Sequence, residues 1–156
     1  MTTDEHMIRR CITLAEHAVA KGDSPFGALV ARGRTIIAES ENRMRLGHDI
    51  TQHAEILALR KAQKKLHTSN LFGYTLYSNC EPCPMCSFMA REAKFKKIVF
   101  ALPSRYMGGY TRWHILQDKK IAHFRPFFRT PPIVVSGLLK DEALKIFKTL
   151  GWDKMF

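Results

Sequence analysis

Apolar residues near the N-terminus recur at steps of three and four. Ile8, Cys11, Ile12, Ala15, Ala18 and Val19 line up on one face, predicting a helix capped by Thr3 or Asp4 and running to about Lys21, with Gly22 as its stop. The period then changes. Phe26 to Ala31 and Thr35 to Glu39 read as two strands around the turn Arg32-Gly33-Arg34. After an irregular polar stretch over 40–50, Thr51 is predicted to open a second helix, with Ile56, Leu57, Leu59, Ala62 and Leu66 on its buried side. Thr75 to Ser78 is a short strand. Pro82 suits the first turn of a third helix reaching about Lys94, because a missing N–H costs nothing there. Lys97 to Leu102 and Ile133 to Val135 are further strands, and Asp141 caps a last helix through about Leu150, ended by Gly151. The stretch from Pro103 to Pro132, with Gly108-Gly109, prolines and many aromatics, carries no clear period. Strands alternating with helices around one hairpin predict a three-layer α/β/α sandwich with a central mixed five-stranded sheet.

At 156 residues and 46% apolar content, the chain reads as one domain spanning 1–156. A chain of this length buries roughly 70% of its unfolded surface and needs no disulfide staples. No apolar run approaches the roughly 20 residues of a membrane span. The start, Met1-Thr2-Thr3-Asp4-Glu5-His6, carries acids where a signal peptide carries bases and then apolar residues. The expectation is a cytoplasmic protein with no membrane partner.

Charge adds one feature. The net charge is +11, unevenly spread: residues 1–90 hold 11 bases and 9 acids, whereas residues 91–156 hold 14 bases and 5 acids. A basic half suits a phosphate-bearing or other anionic partner, and equally a solvated face that aids solubility.

Three of the four cysteines, Cys80, Cys83 and Cys86, fall within seven residues; Cys11, on the apolar face of the first helix, reads as a buried small hydrophobe. Such a cluster points to metal or redox chemistry. Cys83-Pro84-Met85-Cys86 at a helix start places two sulfurs on one face, where the helix N-terminus favours thiolates. Zinc takes four ligands, and His53, expected in the first turn of the preceding helix, is the natural third. Two arrangements remain open: a catalytic ion whose fourth position belongs to water, and a closed structural ion with Cys80 as fourth ligand. The order His53-Ala54-Glu55, then Pro82-Cys83-Pro84-Met85-Cys86 about 30 residues on, is the signature of zinc deaminases of nucleobases.

On these residues the chain resembles the cytidine and deoxycytidylate deaminase superfamily. Within it the chain is most similar to the branch of bacterial guanine deaminases, cytosine-deaminase-like enzymes and tRNA adenosine deaminases. The resemblance runs from Ser24-Pro25-Phe26-Gly27-Ala28 to the last helix. It implies one zinc ion per subunit, held by His53, Cys83 and Cys86, with a catalytic water at the fourth position. It also implies Glu55 as the catalytic proton shuttle, and a homodimer whose subunits complete each other's pocket. For the substrate it implies contacts from Asn42 and from the backbone of Ala54, while Phe26 is placed to wall the base pocket.

Two departures bear on the substrate. Ser104-Arg105-Tyr106-Met107-Gly108-Gly109-Tyr110 stands where the tRNA branch has a Thr-Gly-Ala-Ala-Gly-Ser-like loop, and Glu92 stands where guanine deaminases have a Trp. A small aminated nucleobase or nucleoside is therefore the first expectation. A tRNA anticodon loop is the alternative, supported by the interleaved Arg105, Tyr106, Tyr110, Arg112 and Trp113. A non-catalytic RNA-binding module with structural zinc is the third. Residues 104–114 are expected to form one wall of the pocket.

Overall fold

The structure, a computed structural model, describes residues 1–156. Five strands, β1 (Gly27–Arg32), β2 (Thr35–Glu41), β3 (Thr75–Cys80), β4 (Lys97–Leu102) and β5 (Ile133–Ser136), form one sheet in the order β2-β1-β3-β4-β5. β1 runs antiparallel to β2 and β3, and β3, β4 and β5 run parallel, so the sheet is mixed as expected.

β1 and β4 carry consecutive apolar residues because both faces of the sheet are covered. Alternation sends Ala28, Val30, Leu76, Ile98 and Phe100 to one side. There they meet Ala54, Ala58, Leu59 and Ala62 of α2 (Ala54–Leu66) and Ala90 of α3 (Pro84–Glu92). Leu29, Ala31, Tyr77, Val99 and Ala101 point the other way, onto Met7, Ile8 and Cys11 of α1 (Thr3–Ala20) and Ala143 and Phe147 of α4 (Lys140–Thr149). Two helices on each face make the three-layer α/β/α sandwich. No helix is long and apolar enough to cross a membrane.

Helix starts differ from the periodicity in instructive ways. At α1, Thr2 and Glu5 form a reciprocal capping box, one residue ahead of the expected cap. Thr51 does not open α2, because its backbone N–H and hydroxyl both donate to Asp49 Oδ1, at 2.8 and 2.7 Å. That local turn holds Thr51 in a non-helical segment, and α2 begins at Ala54 with His53 as N-cap. α3 begins at Pro84, not Pro82, with Cys83 as N-cap. It stops at Glu92 because Lys94 turns left-handed at φ 67°. The hairpin turn is the two residues Gly33-Arg34, with Gly33 at φ 56°.

The aperiodic stretch after β4 is held by charged side chains instead of a ladder. Arg91 of α3, buried, donates to the carbonyls of Ile115 at 2.7 Å, Asp118 at 2.8 Å and Arg129 at 3.3 Å. A guanidinium bears several donors in a rigid fork, and here they satisfy carbonyls that no strand partner reaches.

Candidate active site

The N-termini of α2 and α3 meet at the C-terminal end of β3, and each presents its N-cap residue there. His53 Nδ1 lies 3.6 Å from Cys83 Sγ and 3.5 Å from Cys86 Sγ. The three ligand atoms all lie within 4.8 Å of one another. A tetrahedral zinc with Zn–N near 2.05 Å and Zn–S near 2.3 Å sets nitrogen and sulfur about 3.6 Å apart. The observed separations therefore fit that ion, and the donor set, one imidazole and two sulfurs, is one zinc takes. Cys80 is not in the group. Its thiol is buried at the end of β3, outside the 4.8 Å cluster that the His53, Cys83 and Cys86 ligand atoms form.

The electrostatics favour a metal. The Cys83 thiol is drawn down to about 4, first by the hydrogen bond from Cys86, then by His53 and the Cys86 backbone N–H. The neighbouring sulfur of Cys83 and burial push Cys86 up instead, and contact with the Cys83 sulfur raises His53. Two sulfurs and an imidazole competing for protons at two positive helix ends become compatible once a cation takes the protons' place.

Glu55, in the first turn of α2, is 6% exposed. Its Oε1 accepts from Ser78 Oγ at 3.2 Å, and its Oε2 lies 3.7 Å from Cys86 Sγ. Burial, then the negative charge of Cys83, raises its pKa to about 7. A carboxyl poised near neutrality beside a metal site is suited to taking and returning a proton.

These groups open into a cavity of about 250 Å³. That is a little below the roughly 300–1,000 Å³ of sites for drug-sized ligands, and matches a single heterocycle. Phe26, His53, Glu55 and Cys83 line it, as do Ser104, Tyr106 and Met107 from the aperiodic stretch, which so supplies part of the wall as expected. Cys80 and Glu81 complete the strand side, and Met155 and Phe156 close it from the C-terminal segment. No Lys or Arg lines the cavity.

Phe26 is pinned from below. The fully buried Asn79 accepts from Gly27 N at 2.8 Å and donates to Pro25 O at 2.9 Å, fixing the chain on both sides of the ring. Asn42 is buried and donates to Asp23 Oδ1 at 2.8 Å; it and Ala54, the fully buried first residue of α2, stand outside the cavity lining. Burial works to raise the Asp23 pKa, but hydrogen bonds from Leu46, Ser24 and Asn42 hold it below the usual carboxylate range.

Sequence reasoning missed Ser78, Glu81, Met155 and Phe156. Ser78 sits in a buried strand beside Asn79, where a small hydroxyl was the available signal. Glu81 has a stronger one: an acid two residues ahead of the ligand candidate Cys83, with no base nearby in sequence. Met155 and Phe156 carried none, since tertiary packing alone brings them to the site: Phe156 meets Phe147 of α4 edge to face, with ring centroids 4.6 Å apart.

Fold and site together define a zinc-binding deaminase domain. The chain belongs to the cytidine and deoxycytidylate deaminase family, whose zinc-binding region matches residues 1–102. It is 36% identical over 148 residues to a tRNA-specific adenosine deaminase of Haemophilus influenzae, covering 94% of this chain and 82% of that protein. It is 41% identical over 98 residues to the guanine deaminase of Bacillus subtilis, covering 62% of this chain and 63% of that one. A solved tRNA:A34 deaminase chain superimposes with a TM-score of 0.79 at 28% identity, covering 90% of this chain and 98% of the other.

Proposed function

We propose that this chain is a zinc-dependent hydrolytic deaminase acting on a single aminated heterocycle, a free nucleobase or nucleoside. The carrying observation is the cavity: buried Glu55, near neutrality, beside the His53, Cys83 and Cys86 ligand set, in an apolar chamber without a cation. Such a chamber suits a neutral aromatic ring better than a phosphate.

Zinc held by His53 Nδ1, Cys83 Sγ and Cys86 Sγ would lower the pKa of a water molecule toward about 7. Glu55 takes one proton from the attacking water at a carboxylate oxygen and delivers it to the ring nitrogen beside the reacting carbon. The second water proton follows the same route to the exocyclic amino group. The C–N bond breaks, ammonia leaves, and the ring retains the oxygen as a carbonyl. Phe26 and Tyr106 offer faces on which the ring stacks. Asn42, oriented by Asp23, and the backbone of Ala54 are proposed to contact the substrate from behind the cavity lining, as the family resemblance implies. Exposed Phe88, Trp113, Phe124 and Phe127 supply apolar surface for a homodimer.

Action on tRNA is favoured by one relationship and one structural feature. The relative sharing 36% identity over nearly the whole chain is a tRNA-specific adenosine deaminase. In addition, Arg105 lies over the Tyr106 ring at 4.8 Å and Arg112 over Trp113 at 4.5 Å, a pairing that can hold stacked bases and phosphates.

Ammonia release separates the two. The panel is guanine, cytosine, adenosine, cytidine and an anticodon stem-loop RNA, with wild type and Glu55→Ala. Release from a free base or nucleoside is expected, falling about 10²–10⁴-fold in Glu55→Ala. Adenosine-to-inosine conversion in the stem-loop alone would replace the small substrate with tRNA. Unchanged activity in Glu55→Ala would remove the shuttle.

A further inference from the structure

Glu81 lies between the metal-ligand motif and the aperiodic wall of the cavity, and takes no part in the chemistry above. It is 4% exposed, and its backbone is fixed to β4 by its N–H, which donates to Leu102 O at 2.8 Å. Its carboxylate is surrounded by donors from one segment. Oε2 accepts from Ser104 N and Thr111 Oγ1, both at 2.7 Å. Oε1 accepts from Tyr110 N at 2.9 Å and Thr111 N at 2.5 Å. Four donors fill the roughly four lone-pair sites a carboxylate offers.

These four bonds clasp the segment at both ends, at Ser104 and at Tyr110–Thr111, so the residues between are held as a closed turn. Tyr106 and Met107 lie at its tip and line the cavity. Inside the turn, Gly108 N donates to Ser104 O at 2.8 Å, and Gly109 N reaches Pro82 O at 2.9 Å. Gly108 has no room for a side chain, because a Cβ there would overlap Glu81 Oε1. The turn packs against the carboxylate so closely that the two are one unit.

We propose that Glu81 is the positioning residue of substrate selection: its carboxylate fixes the 104–111 turn and so sets where Tyr106 and Met107 meet the heterocycle. This rests on the cavity being the substrate site. It assigns selectivity to a buried acid whose carboxylate oxygens are occupied by the turn. An amide in its place would aim an NH2 group at backbone N–H groups that need acceptors, so Glu81→Gln loses bonds with no change of size.

The test compares wild type, Glu81→Gln and Thr111→Val, all zinc-loaded. Backbone amide exchange at Ser104, Tyr110 and Thr111 is expected to accelerate about 10-fold or more in Glu81→Gln, confined to residues 104–111. On the ammonia-release panel, KM for the preferred heterocycle is expected to rise about 10-fold with kcat changed less, and the kcat/KM ratio of best to second-best substrate to shift. Zinc content stays at wild-type level. A role limited to global stability would lower Tm and leave that ratio unmoved. Should Glu81→Gln fail to fold, Thr111→Val removes one donor and is expected to give a smaller effect of the same kind. Wild-type exchange and an unmoved substrate ratio in the folded variants would overturn the proposal. If wild type deaminates nothing in the panel yet exchange accelerates only over 104–111, the substrate assignment fails while the clasp stands.

Discussion

Ser78 Oγ donates to Glu55 Oε1 at 3.2 Å, joining the middle of β3 to the first turn of α2 through two buried side chains. Ser78 stabilises the charged carboxylate against the burial and the Cys83 charge that raise its pKa to about 7. Ser78→Ala is expected to push that pKa higher and to cost about 1 kcal/mol of stability. The pH–rate profile of kcat/KM reads it out: the limb set by Glu55 moves upward. A limb that stays in place would show that another group titrates there.

Glu55 also makes a stability prediction for the metal-free protein. Its folded pKa, about 7, lies above its ordinary 4.5. Between those values the folded state binds more protons than the unfolded one, so this group favours folding at low pH and loses that contribution as pH rises through 7. Cys83, drawn down from 9.0 to about 4, acts in the opposite sense over the same window. Wild type alone therefore shows little net slope. Glu55→Gln removes one of the opposed groups, and its stability relative to wild type is expected to grow by about 2 kcal/mol from pH 5 to 7.5. Urea unfolding of both metal-free proteins at several pH values measures the difference. Parallel curves would contradict the raised pKa.

At Gly27, β1 packs directly against the backbone of α1. A Cβ there would overlap the Cys11 carbonyl oxygen, with Leu14 Cβ and Ala15 N also close. The nearest atom is backbone, so it cannot rotate away. Gly27→Ala is expected to cost roughly 1–3 kcal/mol by forcing the helix off β1, and to disturb Phe26, whose neighbour Gly27 is held by Asn79. Thermal unfolding tests the first effect. A wild-type Tm would mean that α1 is free to shift.

Much of the site was legible because its chemistry is local in sequence. His53, Glu55, Cys83 and Cys86 sit at two helix starts, and residue type with spacing places them correctly to within a turn. The error at Thr51 came from competition: Asp49 offered its hydroxyl and N–H a nearer partner than a helix. Pro84 rather than Pro82 opens α3, so both N-cap positions, 53 and 83, hold metal-ligand candidates. The stretch after β4 was illegible because its order comes from Glu81 and Arg91, which collect amides and carbonyls from residues 23 to 38 positions away. Such non-local partners leave no period. Phe156 escaped for the same reason, reaching the cavity by packing on Phe147.

Cys80 and Cys83 should separate under chelator competition. Cys83→Ser removes a ligand at an N-cap and is expected to abolish tight zinc retention. Cys80→Ser changes a buried thiol outside the ligand group and is expected to retain the metal at one ion per chain. Metal content by atomic emission after dialysis against chelator checks both. Loss of zinc in Cys80→Ser would favour the closed structural site.

The most direct test of a water-open metal centre is X-ray absorption spectroscopy of the zinc-loaded protein. The expected shell is two sulfurs near about 2.3 Å and two light atoms near about 2.0–2.1 Å, one the imidazole of His53 and one a solvent oxygen. A shell of three sulfurs and one nitrogen would fill the coordination sphere with side chains, leave no place for the attacking water, and contradict the deaminase mechanism at its root.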